Sequence, residues 1–260
     1  MSATIDYLLH LADNAVVLGQ RDAEWCGHGP ILEEDLALAN VSLDLIGQAR
    51  LLYQRAAELK GDGTTEDQLA YFRDSQAFRN YTLLELPHHG ALVGYAVAER
   101  DYATTIVRNF LYSALMVHVW DALQTSADST LAGIAAKSLK EATYHLHHSR
   151  DWLVRMGDGT DESHARAQAA VNHLLPYTEE FWTVSPAETA AVEAGVGVDV
   201  RTLRAAWDAL VNDALAEATL TRPQVRGYVP QGKVGLHSEH LGFLLAEMQS
   251  LARAHPDGCW

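Results

Sequence analysis

The stretch Lys140-Glu141-Ala142-Thr143-Tyr144-His145-Leu146-His147-His148 puts a carboxylate and three imidazoles on one short segment. On a helix Glu141 and His145 lie one turn apart, as do His145 and His148, so the three share a face. Carboxylates and imidazoles on one face are ligands for a first-row metal. His147 points elsewhere. The same residues also suit a surface charge pair with one buried histidine, and spacing alone leaves both readings open.

Asp44 is the second chemical anomaly. It stands in Val41-Ser42-Leu43-Asp44-Leu45-Ile46-Gly47, with Leu38, Val41, Leu45 and Leu52 on one side and Leu36 and Leu43 on the other. A carboxylate among aliphatic side chains must find a partner or shift its pKa. A metal ligand, a catalytic acid and a polar contact with His145 all satisfy that need. Cys26-Gly27-His28 resembles half of a zinc or redox site, but no second half follows. His237-Ser238-Glu239-His240 reads as the start of a helix, as a cap or an interface. No glycine-rich phosphate loop and no G-x-S-x-G motif occurs. Gly227, Gly232 and Gly235 lie near Lys233 without a strand-loop-helix context.

The elements that must position these residues are helical throughout. No period-two run of β-branched residues is long enough for a strand. Leu8, Leu11, Ala15 and Leu18 mark one face of a helix over residues 4–20. A long helix is predicted from Ile31 to Leu59, stopped by Lys60-Gly61-Asp62-Gly63. Residues 64–86 read as a helix and an irregular stretch, and a further helix is predicted over 90–100. Residues 103–124 carry Ile106, Phe110, Ser113, Val117 and Trp120 at helical spacing, and residues 129–156 carry Leu139, Ala142, Leu146, Ser149 and Leu153. Helices are also expected over 162–182, after Ser185-Pro186, over 200–219 and over 237–254. The Gly- and Pro-rich segment Thr221 to Gly235 reads as an extended surface arm. The best architecture is an all-α bundle with extra C-terminal helices, a single domain over residues 1–260. The centres of the four long stripes hold Ala15, Asp44, Ser113 and Ala142, where a plain bundle would use Leu or Ile.

Composition narrows the class. Lys and Arg number 19 against 34 Asp and Glu, for a formal charge of −15. That disfavours nucleic acid and anionic membranes as main partners. Two cysteines, Cys26 and Cys259, cannot build a disulfide framework, which fits a reducing compartment. Asp6, Asp13, Asp22 and Glu24 stand early, with no basic run before an apolar one, unlike a signal peptide. The apolar run Ala91 to Ala98 is too short to cross a bilayer, so a cytoplasmic location is expected.

Several of these segments, in order, resemble the ferritin-like structural subunit of bacterial phenylacetyl-CoA (ring 1,2-) epoxidases. They are Asp13-Asn14, Glu24-Trp25-Cys26-Gly27-His28, Leu36 to Asn40, Leu43 to Arg50, Lys140-Glu141-Ala142 with Tyr144-His145-Leu146, Leu203 to Trp207, and Gly235-Leu236-His237 with Glu239-His240-Leu241-Gly242. The likeness runs from about residue 5 to Trp260. It implies a ferritin-like fold and a structural, non-catalytic role without a cofactor of its own. Its partner would be a related catalytic subunit that holds a di-iron centre. The assembled enzyme would insert one oxygen of O2 into the ring of phenylacetyl-CoA, with electrons from NADPH through a reductase.

A ferritin-like di-iron site takes a carboxylate from each of two helices and an E-x-x-H pair from each of two others. Laid on this chain, the resemblance puts the pairs at Asp44 and Gly47 and at Ala142 and His145, and the lone carboxylates near Ala15 and Ser113. Only Asp44 and His145 keep ligand chemistry there, so the site reads as vestigial, with Asp44 and His145 bonded to each other as a buried pair. For CoA, Arg79 could meet phosphate, Phe78 the adenine and Asn80 a polar edge, against the plainer reading of a solvated helix end. The rival classes are a self-sufficient metalloenzyme drawing on Glu141, His148 or Glu217, and a homodimeric scaffold.

Overall fold

The structure is a computed structural model and describes residues 3–89, 100–224, 227 and 229–258. All but Arg100 of the helix expected over 90–100 lies outside the described residues, as do the apolar run at Ala91 to Ala98 and Cys259. Among the described residues there is no strand, and the only bridge joins Gln231 to Leu236.

Four long helices form the bundle: α1 (Ala3–Ala23), α2 (Leu32–Lys60), α5 (Tyr102–Leu123) and α6 (Ser129–Gly157). Helices α1 and α2 make one antiparallel hairpin. Ser42 Oγ donates to the Gly19 carbonyl at 2.7 Å, and further along Tyr53 OH donates to Asp13 at 2.6 Å. Helices α5 and α6 make the second hairpin, and α6 also packs on α2. The connection between hairpins is long and contains the short helices α3 (Glu66–Tyr71) and α4 (Thr82–Glu85). Two hairpins joined by one long crossover are the ferritin-like arrangement.

Local chemistry sets the ends. Gly61 closes α2 with φ of 64°, a left-handed conformation that glycine adopts without steric cost. Asp128 caps α6 by accepting from Thr130 and Leu131 N–H. Helix α1 is buried on nearly every side from Tyr7 to Leu18. The reason is its cover: α2 on one flank, then α4, α8 (Pro186–Glu193) and α10 (Glu239–Ala254). Helix α9 (Arg204–Glu217) locks onto α5 through Trp207, fully buried, whose Nε1 donates to the Leu111 carbonyl at 3.1 Å.

Two expectations are corrected. The single helix over 162–182 is α7 (Asp161–Leu174) followed by a 3-10 turn, Leu175–Trp182. Pro176 has no N–H to donate and its ring clashes with the preceding turn, so the α-helix cannot pass through it. The surface arm expected at Thr221 to Gly235 is drawn into the protein at its C-terminal part, where Pro230, Gly232 and Lys233 are buried, while Thr221, Gln224 and Gly227 are exposed. Gly232 rests so close to the Asn80 carbonyl that a Cβ would sit 2.4 Å from it. The Lys233 ammonium donates to both Glu188 oxygens at 2.9 and 3.0 Å and to the Thr183 carbonyl. Sequence composition marked the loop; a counter-charge 45 residues away sank it into the core.

Candidate vestigial metal centre

At the bundle's centre lies a cavity of about 10 Å³. Each long helix contributes to its wall: Leu18 from α1, Leu45 and Gln48 from α2, Asn109 and Ser113 from α5, Ala142 and His145 from α6. Such a volume has room for about one water molecule.

Of the residues assigned to the site from sequence, the structure brings Ser113, Ala142 and His145 to this wall. Ala15 is fully buried but does not line the cavity; Leu18, nearly one turn on, does. The α2 pair is corrected by one residue. Asp44 keeps 38% of its side-chain exposure, and a Cβ on Gly47 would meet nothing within 4 Å. The inward pair at the same i, i+3 spacing is Leu45 and Gln48. One residue along a helix is about 100° of rotation, enough to carry Asp44 from the centre to the rim.

Asp44 and His145 do meet. His145 Nε2 donates to Asp44 Oδ2 at 3.1 Å across the α2–α6 seam. The imidazole is buried, but the carboxylate is half in water, so the pair is a rim contact and not the buried pair expected.

The cluster on α6 is likewise spread out. Glu141 accepts from Gln48 Nε2 at 2.9 Å and from Lys137. His148 Nε2 donates to Glu34 at 2.8 Å, where Tyr102 OH also donates. Glu217 pairs with Arg150 at 2.6 Å. Glu141, His145 and His148 are each matched to a separate partner, and none converges with another. Among the described residues no group of three or more His, Cys, Asp or Glu is disposed to hold a metal.

The donor set therefore does not fit a di-iron centre. Of the cavity-lining residues only His145 is a strong ligand, Gln48 offers at best a neutral amide, and no carboxylate lines the wall. Two hard cations need anionic oxygen donors to offset their charge.

Sequence reasoning missed a buried acid bonded to the cavity-lining Asn109. Asp22 is fully buried on α1, one turn after Leu18, and both its oxygens accept from Asn109 Nδ2 at 3.1 and 3.2 Å. Burial pushes its carboxyl up to about 6, against the lowering effect of Arg108, 3.9 Å away, and of Asn109. Its place on α1, four residues beyond Leu18, was the available signal.

The residues assigned to CoA are occupied internally. Phe78 is fully buried beneath the Arg73 guanidinium, 4.3 Å from the ring centroid, and offers no face to an adenine. Asn80 is fully buried and donates to Glu85 and the Tyr81 carbonyl. Arg79 Nη1 donates to the Gln76 and Phe78 carbonyls. The stretch is a brace around Glu85. Asn80, Ser238 N–H and His237 Nδ1 all donate to that carboxylate, and His237 Nε2 donates to the Phe78 carbonyl at 3.0 Å. His237 thus fastens the start of α10 and does not begin the helix itself. Cys26 is an exposed free thiol.

The family model described as phenylacetic acid catabolic protein matches residues 1–260. The chain is 47% identical over 260 residues, the full length of both, to a subunit of the 1,2-phenylacetyl-CoA epoxidase of Escherichia coli (strain K12). With an all-α bundle and a likeness that runs over its full length, this chain belongs to the phenylacetic acid catabolic protein family.

Proposed function

We propose that this chain is a structural, non-catalytic member of a multicomponent phenylacetyl-CoA 1,2-epoxidase, acting as one helical domain. The observation that carries the reading is the wall of the central cavity, where one strong ligand remains. The oxygen insertion then belongs to a ferritin-like partner with its own di-iron centre, supplied with electrons from NADPH through a reductase. This chain's contribution is to hold that partner in an active shape. The work is cytoplasmic; no described helix is long and apolar enough to cross a membrane.

The self-sufficient metalloenzyme loses support because Glu141, His148 and Glu217 are each bonded to a separate partner. Iron analysis of the purified single chain, alongside coexpression with the catalytic partner, sizing and an epoxidase assay, tests the proposal. The expected result is no stoichiometric iron in this chain and activity only in the complex. A dinuclear iron centre in the chain by itself refutes it.

A further inference from the structure

Helix α2 carries two apolar stripes. The inner one, Leu38, Val41, Leu45 and Leu52, is buried in the bundle. The outer one faces solvent: Leu32 is 70% exposed, Leu36 55%, Leu43 66% and Ile46 39%. With Ala39 between them, the outer positions alternate in steps of four and three, which averages 3.5 residues. That is the seam spacing of a helix that packs lengthwise against another helix. Isolated exposed leucines are ordinary, but a stripe at seam spacing over about four turns, roughly 21 Å, is not.

We propose that this outer stripe is where the catalytic partner docks, through one of its own helices lying antiparallel to α2. The docking site rests on the structural role proposed above and gives that role a surface. Charge sets the direction. Beside the stripe α2 is acidic at its start, with Glu33 and Asp35, and one step beyond Ile46 on the stripe's own line it carries Arg50, 68% exposed and 3.6 Å from Glu66. Helices favour acids in the first turn and bases in the last. An antiparallel partner therefore brings its basic end to Glu33 and Asp35 and its acidic end to Arg50, whereas a parallel one sets like against like. Gly47, beside the stripe and with open space before it, admits close approach.

The test is Leu36→Glu/Leu43→Glu, two exposed positions whose replacement leaves the core untouched. Phe243→Glu, 70% exposed on α10, is the control surface variant. Each chain is coexpressed with the catalytic partner and the affinity measured after purification, with circular dichroism to verify the fold. The expected result is a loss of about 100-fold or more in affinity for Leu36→Glu/Leu43→Glu, the scale of a central apolar anchor, and no change for Phe243→Glu. Binding retained by a folded Leu36→Glu/Leu43→Glu overturns the α2 docking site but leaves the structural role standing. Failure of the wild-type chain to bind the catalytic partner at all removes the role itself. A wild-type homodimer that only Leu36→Glu/Leu43→Glu dissociates, with binding to the catalytic partner intact, gives the stripe to a second copy and also overturns the proposal.

Discussion

Replacing Lys233 with Met should be among the most damaging single changes in a segment that composition marks as a loop. The Lys233 and Glu188 side chains are 3% and 2% exposed, so neither charge has recourse to water. The ammonium donates to both Glu188 oxygens and to the Thr183 carbonyl, which uses all three of its protons. Methionine fills the same channel but leaves Glu188 with only the Ser185 N–H, at 2.8 Å. Burial pushes the Glu188 carboxyl up, yet His10, Lys233 and Ser185 together hold it below its ordinary value. Without Lys233 that balance reverses. Breaking a buried pair in this way costs about 3–5 kcal/mol, a large share of the roughly 5–15 kcal/mol that holds a domain folded. Glu188→Gln in the Lys233→Met background removes the orphaned charge and keeps the Ser185 cap, so most of the loss should return. Guanidinium denaturation followed by circular dichroism measures both variants. A Lys233→Met cost under about 1 kcal/mol, the range of an exposed pair, would refute the view that this loop is clamped from within.

Three further outcomes follow from buried or rim charges. Burial is the largest effect on His237 and would lower its pKa, but the bond to Glu85, the Glu85 charge, the Phe78 carbonyl and the Glu180 charge together raise it. The pair's contribution is therefore complete below the ordinary histidine value and is lost as pH rises through the folded one. The stability gap between wild type and His237→Gln should shrink with rising pH above about 6.5, and a widening gap contradicts the latch. Asp22 binds its proton more tightly folded than unfolded, with a folded pKa of about 6. Wild type should lose stability relative to Asp22→Asn as pH rises from the ordinary carboxylate range through about 6, in denaturation curves over a pH series; a gap that moves the other way refutes the shift. Asp44→Asn should cost less than about 1 kcal/mol and leave the iron content unchanged, because the carboxylate is half in water; a melting loss of core magnitude would mean the pair is buried after all.

The bundle was legible because α1, α2, α5 and α6 each repeat apolar residues at helical spacing, and α2 and α6 stop at glycines. The register of the central site on α2 was not. Leu36 and Leu43 form one stripe and Leu38, Val41 and Leu45 another, with Asp44 between them. A helix with two apolar faces does not declare from sequence which one is inside, and a slip of one residue followed. Ser113, Ala142 and His145 line the wall, and Ser113 and Ala142 lie on the helically spaced stripes that the sequence shows for α5 and α6. The brace around Glu85 and the Lys233 clamp join residues 45 to 153 positions apart. Local composition carries no trace of such pairings, so Phe78 and Asn80 looked available and the loop looked solvated.

The near-complete burial of α1 from Tyr7 to Leu18 has a consequence for biosynthesis. Helix α1 leaves the ribosome well before part of its cover, since α8 and α10 begin only at Pro186 and Glu239. Until those two helices are made, the part of its oily surface that they cover lies open. Nascent chains released before α10 is made should therefore be targets for chaperones or aggregation, even though every helix of the four-helix core has already been synthesised.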